Sequence, residues 1–104
     1  MNTQTLLLHI QTALENVKAH NIVQFSTETK SPLFEKMVIA SGNSSRQVQA
    51  LAMRAAQEVK KNGGHILGIE GSEGWVLVDF GSVLLNIMTD EARNYYQLEE
   101  LWRE

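Results

Sequence analysis

The 104 residues make one domain, 1–104, and a composition of 43% apolar and 20% charged residues is that of a globular chain. There is no Cys, which excludes disulfides, zinc–thiolate sites and a thiol nucleophile. No run approaches the ~18 apolar residues of a membrane span, and Met1-Asn2-Thr3-Gln4 lacks the start of a secretion signal, so a soluble, cytoplasmic protein is expected.

The net charge of −3 conceals an asymmetry. Residues 1–64 carry seven Lys and Arg against four Glu, a balance of +3, and residues 65–104 carry two Arg against eight Asp and Glu, a balance of −6. An acidic half keeps a protein soluble and also suits a basic partner. It repels phosphates, so binding to free nucleic acid is not expected.

In chain order, Leu7, Ile10, Leu14 and Val17 recur at helical spacing and predict a helix over 3–19, capped by Asn2 or Thr3. Residues 22–27 are β-branched and aromatic and predict a strand. Residues 28–34 hold the only proline and read as a connection. The run Met37-Val38-Ile39-Ala40 suits a strand buried on both faces. Ser44 and Gln47 form a capping-box pattern for a helix carrying Val48, Leu51, Ala52, Ala55 and Val59. Lys60 and Lys61 suit its C-terminal end, and Asn62-Gly63-Gly64 stops it.

Strands follow over 66–69, 75–80 and 83–88. Gly71-Ser72-Glu73-Gly74 separates the first two, and Gly81-Ser82 is a two-residue hairpin signal. Thr89 or Asp90 caps a last helix whose apolar side is Ala92, Tyr95, Tyr96, Leu98, Leu101 and Trp102, with Tyr95 and Leu98 expected in the core. The order α-β-β-α-β-β-β-α predicts a mixed-sheet α/β (α+β) domain with helices packed on the sheet. A parallel crossover over 37–69 and an antiparallel hairpin at 81–82 are expected.

Few residues carry a chemical signature. The segment Ser41 to Arg46 precedes a helix N-terminus, a place where amides can hold an anion. It lacks the Gly-Lys-Ser/Thr ending of a phosphate loop and the second Gly of a nucleophile elbow. Arg46 beside the positive end of the helix dipole points to a contact role. Glu70, Glu73 and Asp79 are near one another in sequence, and adjacent strands could bring Glu70 and Asp79 together for Mg²⁺. They define an alternative reading, a small nucleotide-binding or nucleotidyl-transfer enzyme using the Ser41–Arg46 loop with Glu70 and Asp79. His9, His20 and His65 show no ligand spacing, so no metal site and no cofactor are expected. Trp75, Tyr95, Tyr96 and Trp102 lie in the acidic half, a combination that fits a protein-binding surface. Aromatics without Lys or Arg do not fit a single-strand nucleic-acid platform.

Three segments together resemble a known family. They are Val38-Ile39-Ala40-Ser41-Gly42-Asn43-Ser44-Ser45-Arg46-Gln47-Val48, then Gly68-Ile69-Glu70-Gly71 with Trp75-Val76-Leu77-Val78-Asp79-Phe80-Gly81, and Glu91-Ala92-Arg93-Asn94-Tyr95-Tyr96-Gln97-Leu98-Glu99-Glu100-Leu101-Trp102. In this order and spacing the chain resembles the ribosomal silencing factors, the RsfS or Iojap family. The resemblance implies a nucleotidyltransferase-like fold with five strands and without catalytic carboxylates, hence no enzyme. It also implies docking on the fourteenth protein of the large ribosomal subunit, at the face that meets the small subunit. Steric blocking of subunit joining and repression of translation under nutrient limitation would follow. Trp75, Asp79, Tyr96, Glu99 and Trp102 match the family pattern as candidate partner contacts, with Arg46 and Glu70 as further ones. The chain departs from the pattern at Ser82, Asn86 and Glu35, where the family commonly has Asp, His and Asp, so Ser82 and Asn86 carry no contact assignment. Strand edges and exposed aromatics also allow a homodimer of the free protein.

Overall fold

A computed structural model describes residues 1–28, 30 and 32–102, with Trp102 described through its backbone only. Helix α1 (Thr3–Asn16) starts where the Asn2 side chain accepts from the Thr5 amide at 2.8 Å. It buries Leu6, Ile10, Ala13 and Leu14, while Leu7 and Val17 are half-buried beside them. The helix stops three residues short of the expected end. Lys18 takes a left-handed φ of 62° and turns the chain toward the sheet.

The sheet begins with β1 (His20–Ser26) and β2 (Lys36–Gly42), antiparallel neighbours. Helix α2 (Ser45–Lys61) follows β2, and Ser44 Oγ accepts from the Gln47 amide at 3.1 Å, as the sequence pattern predicts. The Gln47 side-chain Oε1 reaches one residue further back than a capping box requires and accepts from the Asn43 amide. Its amide group donates to the Val17 and Lys18 carbonyls at 2.9 and 3.4 Å, joining the end of α1 to the start of α2.

Three strands complete the sheet: β3 (Gly68–Ser72), β4 (Trp75–Asp79) and β5 (Val83–Thr89). β3 starts two residues later than expected and ends three later, because Gly71 and Ser72 pair with Val76 and Trp75 and leave only Glu73-Gly74 as the turn. A Cβ on Gly71 would meet the Trp75 carbonyl oxygen at 2.7 Å and Val76 Cα at 2.8 Å, so this close approach requires glycine. At the next turn, Gly81 has φ +93° and closes the β4–β5 hairpin, as predicted.

The strand order is β1-β2-β5-β4-β3. The expected crossover from β2 through α2 to β3 therefore does not join neighbours. β3 pairs only with β4, and the parallel partner of β2 is β5. β2 and β5 share seven consecutive register pairs, Lys36–Val83 through Gly42–Thr89, at the centre of the sheet. This central pair explains why both strands read as apolar runs.

Alternation along the strands divides the core in two. Val38, Ala40, Val76, Val78, Leu85 and Ile87 face α1 and α2 and form the main core with Ile10, Leu14, Val48, Leu51, Ala55 and Val59. Met37, Ile39 and Met88 face the other way. The cover there is thin: α3 (Asp90–Tyr96) and the four-residue α4 (Glu99–Trp102). These are the expected last helix, capped by Thr89 through the Ala92 amide at 3.1 Å but broken at Gln97, whose φ is 48°. The break changes which residues face inward. Leu98 packs on the second core as expected, whereas Tyr95 is 79% exposed and belongs to no core.

Candidate protein-docking face

On the thinly covered side, the pleat aligns Trp75, Leu77 and Asp79 of β4 with Ser72, Glu70 and Gly68 of β3, and with Met88, Asn86 and Leu84 of β5. Phe25, Phe34, Trp75, Leu77 and Leu84 are each only half-buried on this side. Glu70, Trp75 and Leu77 line a shallow cleft of about 250 Å³ with Gly71 and Ser72. Tyr96 of α3 stands at one end, its ring 4.8 Å from that of Trp75 at 47°, and Tyr95 meets Tyr96 edge-on at 4.9 Å. Aromatic bodies that are partly exposed and held by each other are poor core residues and good anchors for a partner.

The orientation of Trp75 has a cause inside the sheet. Its indole N–H donates to Asn86 Oδ1 at 2.8 Å, and Asn86 Nδ2 is 2.8 Å from Met37 Sδ. Asn86 is buried, so its amide holds the indole from beneath. The sequence marks Asn86 only as a departure from the family pattern, and gives no sign of this role. Replacing Asn86 with Leu removes the acceptor and leaves the indole N–H unpaired. A loss of about 1–3 kcal/mol is expected in thermal or denaturant unfolding. Asn86→His, whose neutral ring offers an acceptor nitrogen, should retain most of the stability.

Of the other expected site residues, Asp79 lies on this face but also serves the hairpin, accepting from the Gly81 amide at 2.8 Å. Glu99 is turned inward, paired with Arg93 Nε at 2.9 Å, the two side chains being 24% and 11% exposed. The Trp102 side chain lies outside the described residues. Arg46 is not gathered with the rest, since α2 packs on the opposite side of the sheet. The structure thus brings Trp75 together with Glu70 and with Tyr96, while Asp79 lies on the same face at the far end of β4.

Arg93 was missed in the sequence and organises this end of the molecule. Its Nη1 donates to the Ser41 hydroxyl at 2.9 Å and to the Asn21 carbonyl, while its Nε holds Glu99. His20 Nε2 and Asp90 Oδ1, 2.7 Å apart, add a second tie between β1 and α3. In sequence Arg93 is one cation near the start of the expected last helix, with nothing to mark its partners.

The loop from Ser41 to Arg46 is poorly suited to an anion. Ser41 is buried and bonded to Arg93, and Ser44 is spent as the helix cap. The cleft of about 700 Å³ above it is lined by Glu73, Asp90 and Glu91 as well as Ser45, Tyr95 and Tyr96. Phosphate would meet three carboxylates there. Among the described residues no three His, Asp or Glu side chains are placed to share a metal ion.

The fold is a mixed five-stranded sheet with α1 and α2 on one side and a partly covered, aromatic and acidic face on the other. The family model "Ribosomal silencing factor during starvation" matches residues 1–104. Ribosomal silencing factor RsfS of Chromobacterium violaceum is 42% identical over 92 residues, covering 86% of this chain and 75% of the relative. That of Haemophilus influenzae is 39% identical over 99 residues, covering 93% and 97%. A crystal structure of a protein from Chromobacterium violaceum superposes with a TM-score of 0.95 at 39% identity, covering 98% of this chain and 87% of that one. A more distant mouse protein, named for mitochondrial assembly of the ribosomal large subunit, is 31% identical over 93 residues, covering 85% of this chain and 40% of its own. The chain belongs to the ribosomal silencing factor family.

Proposed function

We propose that this chain docks on the large ribosomal subunit through the Trp75–Leu77–Tyr96 face, with the fourteenth large-subunit protein as its seat. The bound domain overlaps the space that the small subunit must occupy, so subunits do not join and translation falls when nutrients are scarce. No bond is made or broken. The observation that carries this reading is the half-covered sheet face, where the rings of Trp75 and Tyr96 meet 4.8 Å apart at 47° and the carboxylates of Glu70 and Asp79 lie on the same face. Anchoring aromatics supply affinity, and carboxylates around them select and steer a basic protein. Family membership and the mouse relative's name support the ribosomal setting.

Equilibrium binding to purified large subunits, small subunits and the isolated fourteenth protein tests the reading. Binding to the large subunit and to that protein is expected, with none to the small subunit. Asp79→Asn keeps an oxygen for the Gly81 amide and removes the charge, so a severalfold weaker complex is expected with the hairpin intact. A chain that ignores the large subunit would overturn the proposal.

A further inference from the structure

The outward side of α2 is a ridge of cations that the docking face does not use. At 100° per residue, Arg46, Arg54, Lys60 and Lys61 fall within an arc of about 120° opposite Val48, Leu51, Ala55 and Val59. All four are exposed, and neither ion pair among the described residues involves any of them. Glu58, the only acid in α2, is bonded to the Asn62 side chain at 2.7 Å. Exposed Lys18 lies near the first turn of α2, where Gln47 holds the Val17 and Lys18 carbonyls. Arg46 and Lys61 are about 22 Å apart along the helix axis. The intervening outward residues are Ala50, Met53 and Gln57, with no aromatic among them.

We propose that this ridge binds the phosphate backbone of double-helical RNA. A line of cations without a stacking ring or a pocket recognises backbone charge rather than bases. The deep major groove of RNA does not admit a helix, so α2 would lie across phosphates bordering the shallow groove. The ridge is on the side of the sheet opposite Trp75, so an RNA contact and a protein contact can form together. The expectation against nucleic acid rests on the acidic residues 65–104, and α2 lies outside them, in the part of the chain with a balance of +3. The inference deepens the proposed function only in placing RNA beside the protein seat.

Fluorescence anisotropy with the full chain and a labelled RNA hairpin of about twelve base pairs tests it at about 50 mM salt. Binding that weakens with salt, with a log–log slope of about 2–4, is expected. The triple variant Arg54→Gln, Lys60→Gln, Lys61→Gln should bind at least about tenfold more weakly and lower the slope by about 2. Arg46→Gln with Arg54→Gln leaves the last turn of the helix untouched and should show the same trend, while Tyr96→Ala should bind like the parent. No binding by the parent overturns the proposal, as does equal binding by the triple variant. Tighter binding of a poly-glutamate peptide than of the hairpin also overturns it, by assigning the ridge to an acidic protein. No ribosome enters the measurement, so this failure is separate from a failure of subunit docking.

Discussion

A chain carrying Tyr96→Ala is expected to bind the large ribosomal subunit about ten to thirty times more weakly than the parent, yet to unfold within about 1 kcal/mol of it. Tyr96 is 55% exposed and belongs to neither core cluster, so its removal opens no cavity. Its ring neighbours are Trp75 and the exposed Tyr95, and contacts of this kind start at about 0.5 kcal/mol each. At an interface the same ring is worth more, about 1.4–2 kcal/mol for a tenfold to thirtyfold loss, when a partner closes over it. Titration of the variant against large subunits, alongside its unfolding curve, reads both quantities. Equal affinity would remove Tyr96 from the interface. Trp75→Ala should weaken binding at least as much, but it also empties part of the second core, so Tyr96 is the cleaner probe.

The largest effect on stability is expected at Arg93. Arg93→Met keeps the apolar stem and removes the hydrogen bonds to the Ser41 hydroxyl, the Asn21 carbonyl and Glu99. Ser41 is fully buried and Glu99 mostly so, which leaves a hydroxyl and a carboxylate without their cation. Breaking such a set costs about 2–4 kcal/mol, or about 10–25 °C in Tm for a domain of this size. Glu99→Gln keeps an oxygen facing Arg93 and should cost about 1 kcal/mol or less. A thermal melt of the two variants separates these outcomes. If Arg93→Met melted with the parent, the tie between α3 and the β1–β2 end of the sheet would be dispensable.

Much of the local structure was legible because it depends on neighbours in the chain. Ser44 with Gln47 marked the start of α2, Gly81 the β4–β5 turn, and the Met37–Ala40 run a buried central strand. The strand order was not, because the seven-pair ladder between β2 and β5 joins residues far apart in the chain. Nothing near Val83 announces that it will lie beside Lys36. The last helix was misread for a related reason. Gln97 is not a residue that favours a left-handed turn, and a single break there exposed Tyr95 while Leu98 stayed inward.

At the candidate site, the residue types were visible and their partners were not. Trp75, Tyr96, Glu70 and Asp79 stand out as aromatics and carboxylates in an acidic half, and the fold puts the three strand residues on one face with Tyr96 against Trp75. Asn86 and Arg93 could not be singled out, since each acquires its meaning from strands or turns elsewhere in the chain. Glu99 matched the family pattern yet is paired internally with Arg93.

Subunit joining tests the central claim most directly. Purified subunits are mixed with the chain, magnesium is raised to drive association, and the fractions of a density gradient are assayed for ribosomes and for the chain. The account predicts that the chain travels with free large subunits, that the joined peak shrinks as its concentration rises, and that Tyr96→Ala restores the peak. A chain that rides on the large subunit while joining proceeds undiminished would contradict it.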